Sequence, residues 1–207
     1  MSSAVTSPAP IADKAPWVVR HRIALSWLPA LLFVASIITF RGQLRDDSVG
    51  VTVENLGYLL IMAGSMGRIW CAIYIAGRKN KELATDGPYS LCRNPLYLFS
   101  YLGMIGLALG AKNLVLAAVA TPIFWAYYSV VIKSEEKILS GIFGDAFENY
   151  KRKVPAVIPK FSGYWTRTEF SIQPKKVLAG MVDAMWFLWA IILLEGLEYA
   201  KMVFFSR

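Results

Sequence analysis

The run "GPYSLCRNPLY" places Arg93, Asn94 and Pro95 between two tyrosines, Tyr89 and Tyr97, where a charged loop turns into an apolar stretch. Gly87-Pro88 is a turn signal. Asn94 followed by Pro95 predicts a helix start, because asparagine caps free backbone N–H groups and proline suits the first helical position. A helix N-terminus presents N–H groups and positive potential to an anion. Arg93 can hold a carboxylate in fork geometry, and the two tyrosine rings can meet a flat base or a sulfonium cation. A carboxylate, an adenine and a sulfonium together describe S-adenosylmethionine. The plain alternative is a capped membrane helix with a snorkelling arginine and interfacial tyrosines.

A second group lies in "KSEEKILSGIFGDAFENYKRKVPAVIP", Lys133–Pro159. Glu135 and Glu136 stand at the end of an apolar run, where one of them could hold a ligand's ammonium or ribose, or orient a substrate. Leu139, Phe143, Phe147 and Tyr150 follow at helical spacing and predict one apolar face of an amphipathic helix, broken near Gly144. Asp145 with Glu148 resembles a capping box that restarts it. The plain alternative is an interfacial helix with solvated or lysine-paired glutamates. A third oddity is Arg68, deep in an apolar run beside Gly64 and Gly67. Intramembrane arginines are costly and face a bundle interior or a polar cavity. Asp183 and Glu195 could be its partners or could mark a polar cavity of their own.

The elements that must position these residues are read from hydropathy. Of 207 residues, 56% are hydrophobic and only 17% charged, and the mean hydropathy is +0.46. Soluble domains carry about a quarter charged residues. The chain is therefore expected to be an all-α polytopic membrane protein with about five transmembrane helices and an amphipathic segment at the cytoplasmic face. Residues 1–22 read as a disordered basic tail, ending in Arg20, His21 and Arg22. Apolar runs follow at about 24–40, 51–76, 96–111, 114–132 and 177–199, and the third and fourth form a hairpin around Lys112 and Asn113. Gly106 and Gly110 offer a packing face.

The net charge of +8 does not point to nucleic acid, because Lys and Arg cluster beside apolar runs. With the N-terminus inside, sixteen of them fall on the cytoplasmic side and five on the other, a strong positive-inside bias. It puts the 78–95 loop and the 133–176 segment at one face. Cys71 and Cys92 make no disulfide or zinc pattern, and a single histidine, His21 in a basic segment, argues against a histidine-based metal site. No metal is expected. Neither a G-x-G-x-x-G after a strand nor a Walker loop is present, which excludes the soluble nucleotide-binding folds.

Both groups resemble the signatures of the isoprenylcysteine carboxyl methyltransferase family and its phospholipid N-methyltransferase relatives. "GPYSLCRNPLY" is similar to the first. Glu135, Glu136, Leu139, Phe143, Gly144, Phe147, Tyr150, Val154, Ile158 and Pro159 are similar in order to the second. The resemblance covers roughly 57–160. It implies a helical membrane enzyme that takes a methyl group from S-adenosylmethionine, near the cytoplasmic face, for a lipophilic acceptor entering from the bilayer. Carried over by position, Tyr89, Leu91, Arg93, Asn94, Pro95 and Tyr97 would frame the cofactor, completed by Glu135 or Glu136. Two positions depart from the pattern. Asn94 stands where the prenylcysteine enzymes commonly have histidine. The turn before the glutamates carries Lys133 where they tend to have arginine.

The resulting expectations are a methyltransferase core at 23–160, with an interfacial segment and fifth span at 161–207. Arg93, Glu135 and Glu136 are the catalytic candidates, and Arg68 or Lys133 is the cation for an acceptor carboxylate of the isoprenylcysteine type. A phospholipid amine N-methyltransferase is the nearest alternative, with Glu135 or Glu136 as base. A non-enzymatic membrane transporter or assembly protein is the other. A bacterial inner membrane is expected rather than endoplasmic reticulum.

Overall fold

A computed structural model describes residues 35–36, 44, 47–78, 81–169 and 171–205. The expected basic tail and most of the first apolar run, 24–40, lie outside the described residues. Within them the chain is helical, with no strand.

Helix α1, Ser48–Ile75, starts at Asp47, whose side chain accepts from the Gly50 amide at 2.8 Å. Its 28 residues extend roughly 42 Å at 1.5 Å per residue, enough to cross the hydrocarbon. After Gly77, with φ +85°, a loop leads to the single-turn helix α2, Pro88–Leu91. Helix α3, Pro95–Gly110, is apolar but only 16 residues long. The tight turn at Lys112 and Asn113 is present: Asn113 caps helix α4, Leu114–Phe143, by accepting from the Leu116 amide at 2.8 Å. Helix α5 is Asp145–Lys153, α6 is Pro174–Ala184, and α7 is Trp186–Phe205. Among the described residues, three stretches are long and apolar enough to cross a membrane: α1, α4 and Pro174–Leu193. The protein is an all-α polytopic membrane protein.

Glycines make the α1–α3 contact. A Cβ on Gly57 would lie 2.3 Å from the Gly110 amide nitrogen, and one on Gly64 would lie 2.7 Å from that of Gly103. Gly64, Gly106 and Gly110, expected to pack, thus meet Gly103 and Gly57 backbone on backbone, whereas Gly67 lies against the Phe99 ring. Gly57→Ala is expected to lower the melting temperature in detergent, costing about 1–3 kcal/mol through overpacking. Gly141→Ala, where a Cβ meets nothing within 4 Å, should hold or raise it. Equal melting of the two variants would sink this account.

Helix α4 meets α3 through aromatic rings instead. Tyr97 lies 4.7 Å from Tyr128, and Tyr101 lies 5.4 Å from Phe124 and 5.1 Å from Trp125. Polar ties fasten the last helices. Arg68 bonds Asp183 and Ser100 and lies over the Phe187 ring. Glu195 instead meets the Tyr58 hydroxyl, whose one proton is shared between Glu195 and Glu54, the latter paired with Lys112 at 2.9 Å.

Three local expectations differ from what forms. Helix α4 does not stop at the apolar boundary but runs on to Phe143, so Glu135 and Glu136 sit inside it. Lys, Glu, Ile and Leu are adequate helix formers, and a polar stretch does not end a helix that water can solvate. The break at Gly144 forms with φ +51°, but without a capping box. Gly144 is itself the N-cap, Asp145 is the first helical residue, and Glu148 accepts from Ser140 at 2.8 Å. The last apolar run is divided at Met185 into α6 and α7.

Candidate functional site

The two sequence groups meet at one end of the bundle. Arg93, in the loop before α3, donates from Nε to Glu136 Oε1 at 2.9 Å, and its Nη2 lies 2.8 Å from the same oxygen. Its Nη1 donates to the carbonyls of Lys151 at 3.0 Å and Val154 at 2.6 Å, at the C-terminal end of α5. A cation beside those carbonyls also answers the helix dipole. The pair is largely enclosed, with side chains 11% and 14% exposed.

Asn94 is the N-cap residue of α3, yet its side chain makes no capping bond. Nδ2 donates instead to the Ala156 carbonyl at 3.1 Å, which also accepts from the Asn94 amide. Pro95 is fully buried at the first turn. Tyr97, one turn on, donates through its hydroxyl to Glu135 Oε2 at 2.7 Å. Adjacent glutamates on α4 thus take separate partners from the loop and the first turn of α3, 43 and 38 positions away in sequence.

Tyr89 and Leu91 lie beneath. The Tyr89 ring packs in a core with Cys71 and Ala84, and its carbonyl accepts from the Tyr150 hydroxyl at 2.6 Å. Burial pushes the Tyr89 and Tyr150 hydroxyls up and the Cys92 thiol up to about 11. All three are protonated at neutral pH and act as packing and hydrogen-bonding groups.

Lys133 is exposed, one turn before Glu136. Together with Glu136, Lys137 and Lys151 it lines an open groove of about 400 Å³. Lys151 Nζ stands 3.8 Å from Glu136. Arg68 is not part of this group, since Asp183 and Ser100 hold it between α1, α3 and α6. Among the described residues no three His, Cys, Asp or Glu side chains are grouped as metal ligands.

Sequence reasoning missed a further set. Asp86, fully buried, accepts from Arg78 at 2.8 Å and lies 3.5 Å from Arg167. Arg167 also pairs with Glu82 at 2.5 Å. The segment after α5 is laid across the Gly87–Asn94 loop by backbone bonds: Arg93 N to Pro155 O, Lys160 N to Leu91 O, and Gly87 N to Trp165 O. The only signal for it was the acidic residue before Gly87-Pro88, and no spacing reveals a partner 81 residues away.

Comparison with known proteins bears on this arrangement. The phospholipid methyltransferase family profile matches residues 53–146. The chain is 32% identical over 198 residues to the nickel-cobalt-cadmium resistance protein NccN of Alcaligenes xylosoxydans xylosoxydans, covering 96% of this chain and 91% of that one. It is 35% identical to the cobalt-zinc-cadmium resistance protein CzcN of Cupriavidus metallidurans, covering 88% and 84%. With the protein-S-isoprenylcysteine O-methyltransferase of Schizosaccharomyces pombe it shares 34% identity over 87 residues, 41% of this chain and 37% of that one. No solved structure matches.

Proposed function

Because the chain belongs to the family of isoprenylcysteine carboxyl methyltransferases and phospholipid methyltransferases, we propose that it methylates a lipophilic acceptor from S-adenosylmethionine. The observation that supports this most is the double pairing of Arg93 with Glu136 and Tyr97 with Glu135. The cofactor, when bound, supplies an electrophilic methyl group on a sulfonium. The residues present fit its amino-acid end, since carboxylates and lysines border one groove. Glu135 or Glu136 would hold the ammonium, and Tyr89, Leu91, Arg93, Asn94, Pro95 and Tyr97 would frame the pocket. Arg93, already forked onto Glu136, orients that carboxylate and the end of α5. Methyl transfer depends on in-line approach, so positioning and electrostatics supply most of the acceleration.

An acceptor carboxylate is already ionised at neutral pH and needs a cation. Arg68 is engaged with Asp183, which leaves Lys133, beside Glu136, as the better candidate. The positive-inside bias supports a cytoplasmic location for this end of the bundle. In the amine reading, which the phospholipid methyltransferase match favours, Glu135 or Glu136 would take the proton and Lys133 would be dispensable.

Calorimetry with S-adenosylhomocysteine on the detergent-purified protein tests the cofactor site, and saturable binding is expected. Lys133→Ala should then slow methylation of a carboxylate acceptor by about tenfold or more, the order of one charge-assisted hydrogen bond. Unchanged rates would move the amine reading forward. No binding by a folded sample would favour a transporter or assembly protein.

A further inference from the structure

The segment from Val154 to Arg167 joins α5 to the last helices and contains only a single 3-10 turn, Phe161–Gly163. One side of it is committed to the site. Pro155 and Ala156 carbonyls accept the amides of Arg93 and Asn94, and the amide of Lys160 donates to Leu91. Trp165 is bonded through its carbonyl to Gly87 and through its amide to Ser90 Oγ.

The other side is apolar and uncovered. Ile158 is 81% exposed, Phe161 73%, Tyr164 50% and Trp165 46%. A soluble surface rarely concentrates four such side chains within eight residues. Here they are interleaved with cations: Lys160 lies between Ile158 and Phe161, and Arg152 and Lys153 close α5 just before. Aromatic and aliphatic side chains beside lysine and arginine are the composition of a segment lying in the headgroup boundary. The location agrees. Chain continuity ties the segment to α6, which opens the last candidate span, and one edge of the tilted Tyr164 ring approaches Trp70 of membrane helix α1, with centroids 6.3 Å apart.

We infer that residues 154–167 form a membrane-anchored strap. Ile158, Phe161, Tyr164 and Trp165 insert into the headgroup–acyl boundary of the leaflet at the basic end of the bundle. Their insertion holds the opposite edge of the strap against Arg93 and Asn94. The occupant of the apolar face is lipid, because Lys160 among these side chains, with Arg152 and Lys153 just before them, matches an anionic leaflet. This placement does not depend on the catalytic reading.

The test is a depth measurement in vesicles of phosphatidylcholine and phosphatidylglycerol. Phe161→Cys, and separately Ile158→Cys, would carry a nitroxide label. The native Cys71 and Cys92 are 0% and 1% exposed and take no label while the protein is folded. Collision with oxygen should be high and collision with a water-soluble nickel chelate low, several-fold different from a label at Lys153→Cys. High nickel access at 158 and 161 would overturn the proposal. Low access to both reagents would also overturn it, assigning the face to a second copy of the chain or another protein. The link to the site has its own readout. In the Ile158→Ser/Phe161→Ser variant, amide exchange at Arg93 and Asn94 should quicken by about tenfold in vesicles, as expected for local opening. Unchanged exchange there would detach the strap from the site.

Discussion

Arg93→Ala is expected to destabilise the folded protein by about 2–3 kcal/mol and to weaken S-adenosylhomocysteine binding about tenfold or more. The reason is what the guanidinium joins. It holds Glu136 on α4 and the last carbonyls of α5 at once, so its loss leaves an enclosed carboxylate without its cation and two carbonyls without their donor. Lys151, 3.8 Å from Glu136 and 43% exposed, offers only a weak, solvent-screened replacement. Arg93→Lys should recover the charge but not the geometry, because an ammonium cannot reproduce the planar fork across three acceptors. Its melting temperature should fall between wild type and Arg93→Ala. A double-mutant cycle with Glu136→Ala separates this from a general loosening. The two changes should be strongly non-additive, with a coupling of about 1–3 kcal/mol. Additive effects would mean that the pair does not act as a unit.

That pair was half legible in the sequence. The signatures are local runs, and counting lysines and arginines put both at one face, so Arg93 and the glutamates were expected to meet. Which glutamate would take which partner was not readable. Glu135 and Glu136 are adjacent on a helix and point about 100° apart, so the choice between Arg93 and Tyr97 depends on the rotation of α4. Asn94 shows a different limit. Its type and position are those of a cap, but the competing acceptor, Ala156 O, lies 62 residues away and wins the side chain. Apolar runs marked α1, α3 and α4 well because lipid demands closed backbone bonding. They did not mark the continuation of α4 through a polar stretch, or the break at Met185, where hydropathy does not change. Arg68 was rightly suspect, and Asp183 was one of two candidate partners. Tertiary packing alone chose between Asp183 and Glu195.

Asp86→Ala should be the most damaging single change in the loop region, about 3 kcal/mol, the low end for breaking a buried ion pair, because Arg78 loses its nearer carboxylate but keeps Glu82 at 3.3 Å and the Tyr74 carbonyl at 3.2 Å. Asp86 is 0% exposed and Arg78 6%, so water does little for either, and Glu82, 3.3 Å from Arg78 but 45% exposed, is only a weaker, solvent-screened partner. The same corner is held sterically. Gly87 has φ +58°, and a Cβ there would lie 2.4 Å from the Tyr74 ring, so only glycine fits this turn. Asp86→Asn keeps the shape and one acceptor and should cost less than alanine. Glu82→Ala is the contrast. Glu82 is 45% exposed, and although it also bonds Arg167, an exposed pair contributes only about 0–1 kcal/mol. The hydrogen bond from Arg167 holds the Glu82 carboxyl below its usual range, so that small stabilisation is complete at neutral pH and is lost as pH falls through the lowered value. Detergent melting curves at neutral pH should therefore rank Asp86→Ala lowest, then Asp86→Asn, with Glu82→Ala near wild type. S-adenosylhomocysteine affinity should follow the same order, because Asp86 sets the corner from which α2 and the Arg93 loop depart. If Asp86→Ala melts with Glu82→Ala, water reaches Arg78 in the folded protein, and the buried ion cluster does not hold the loop.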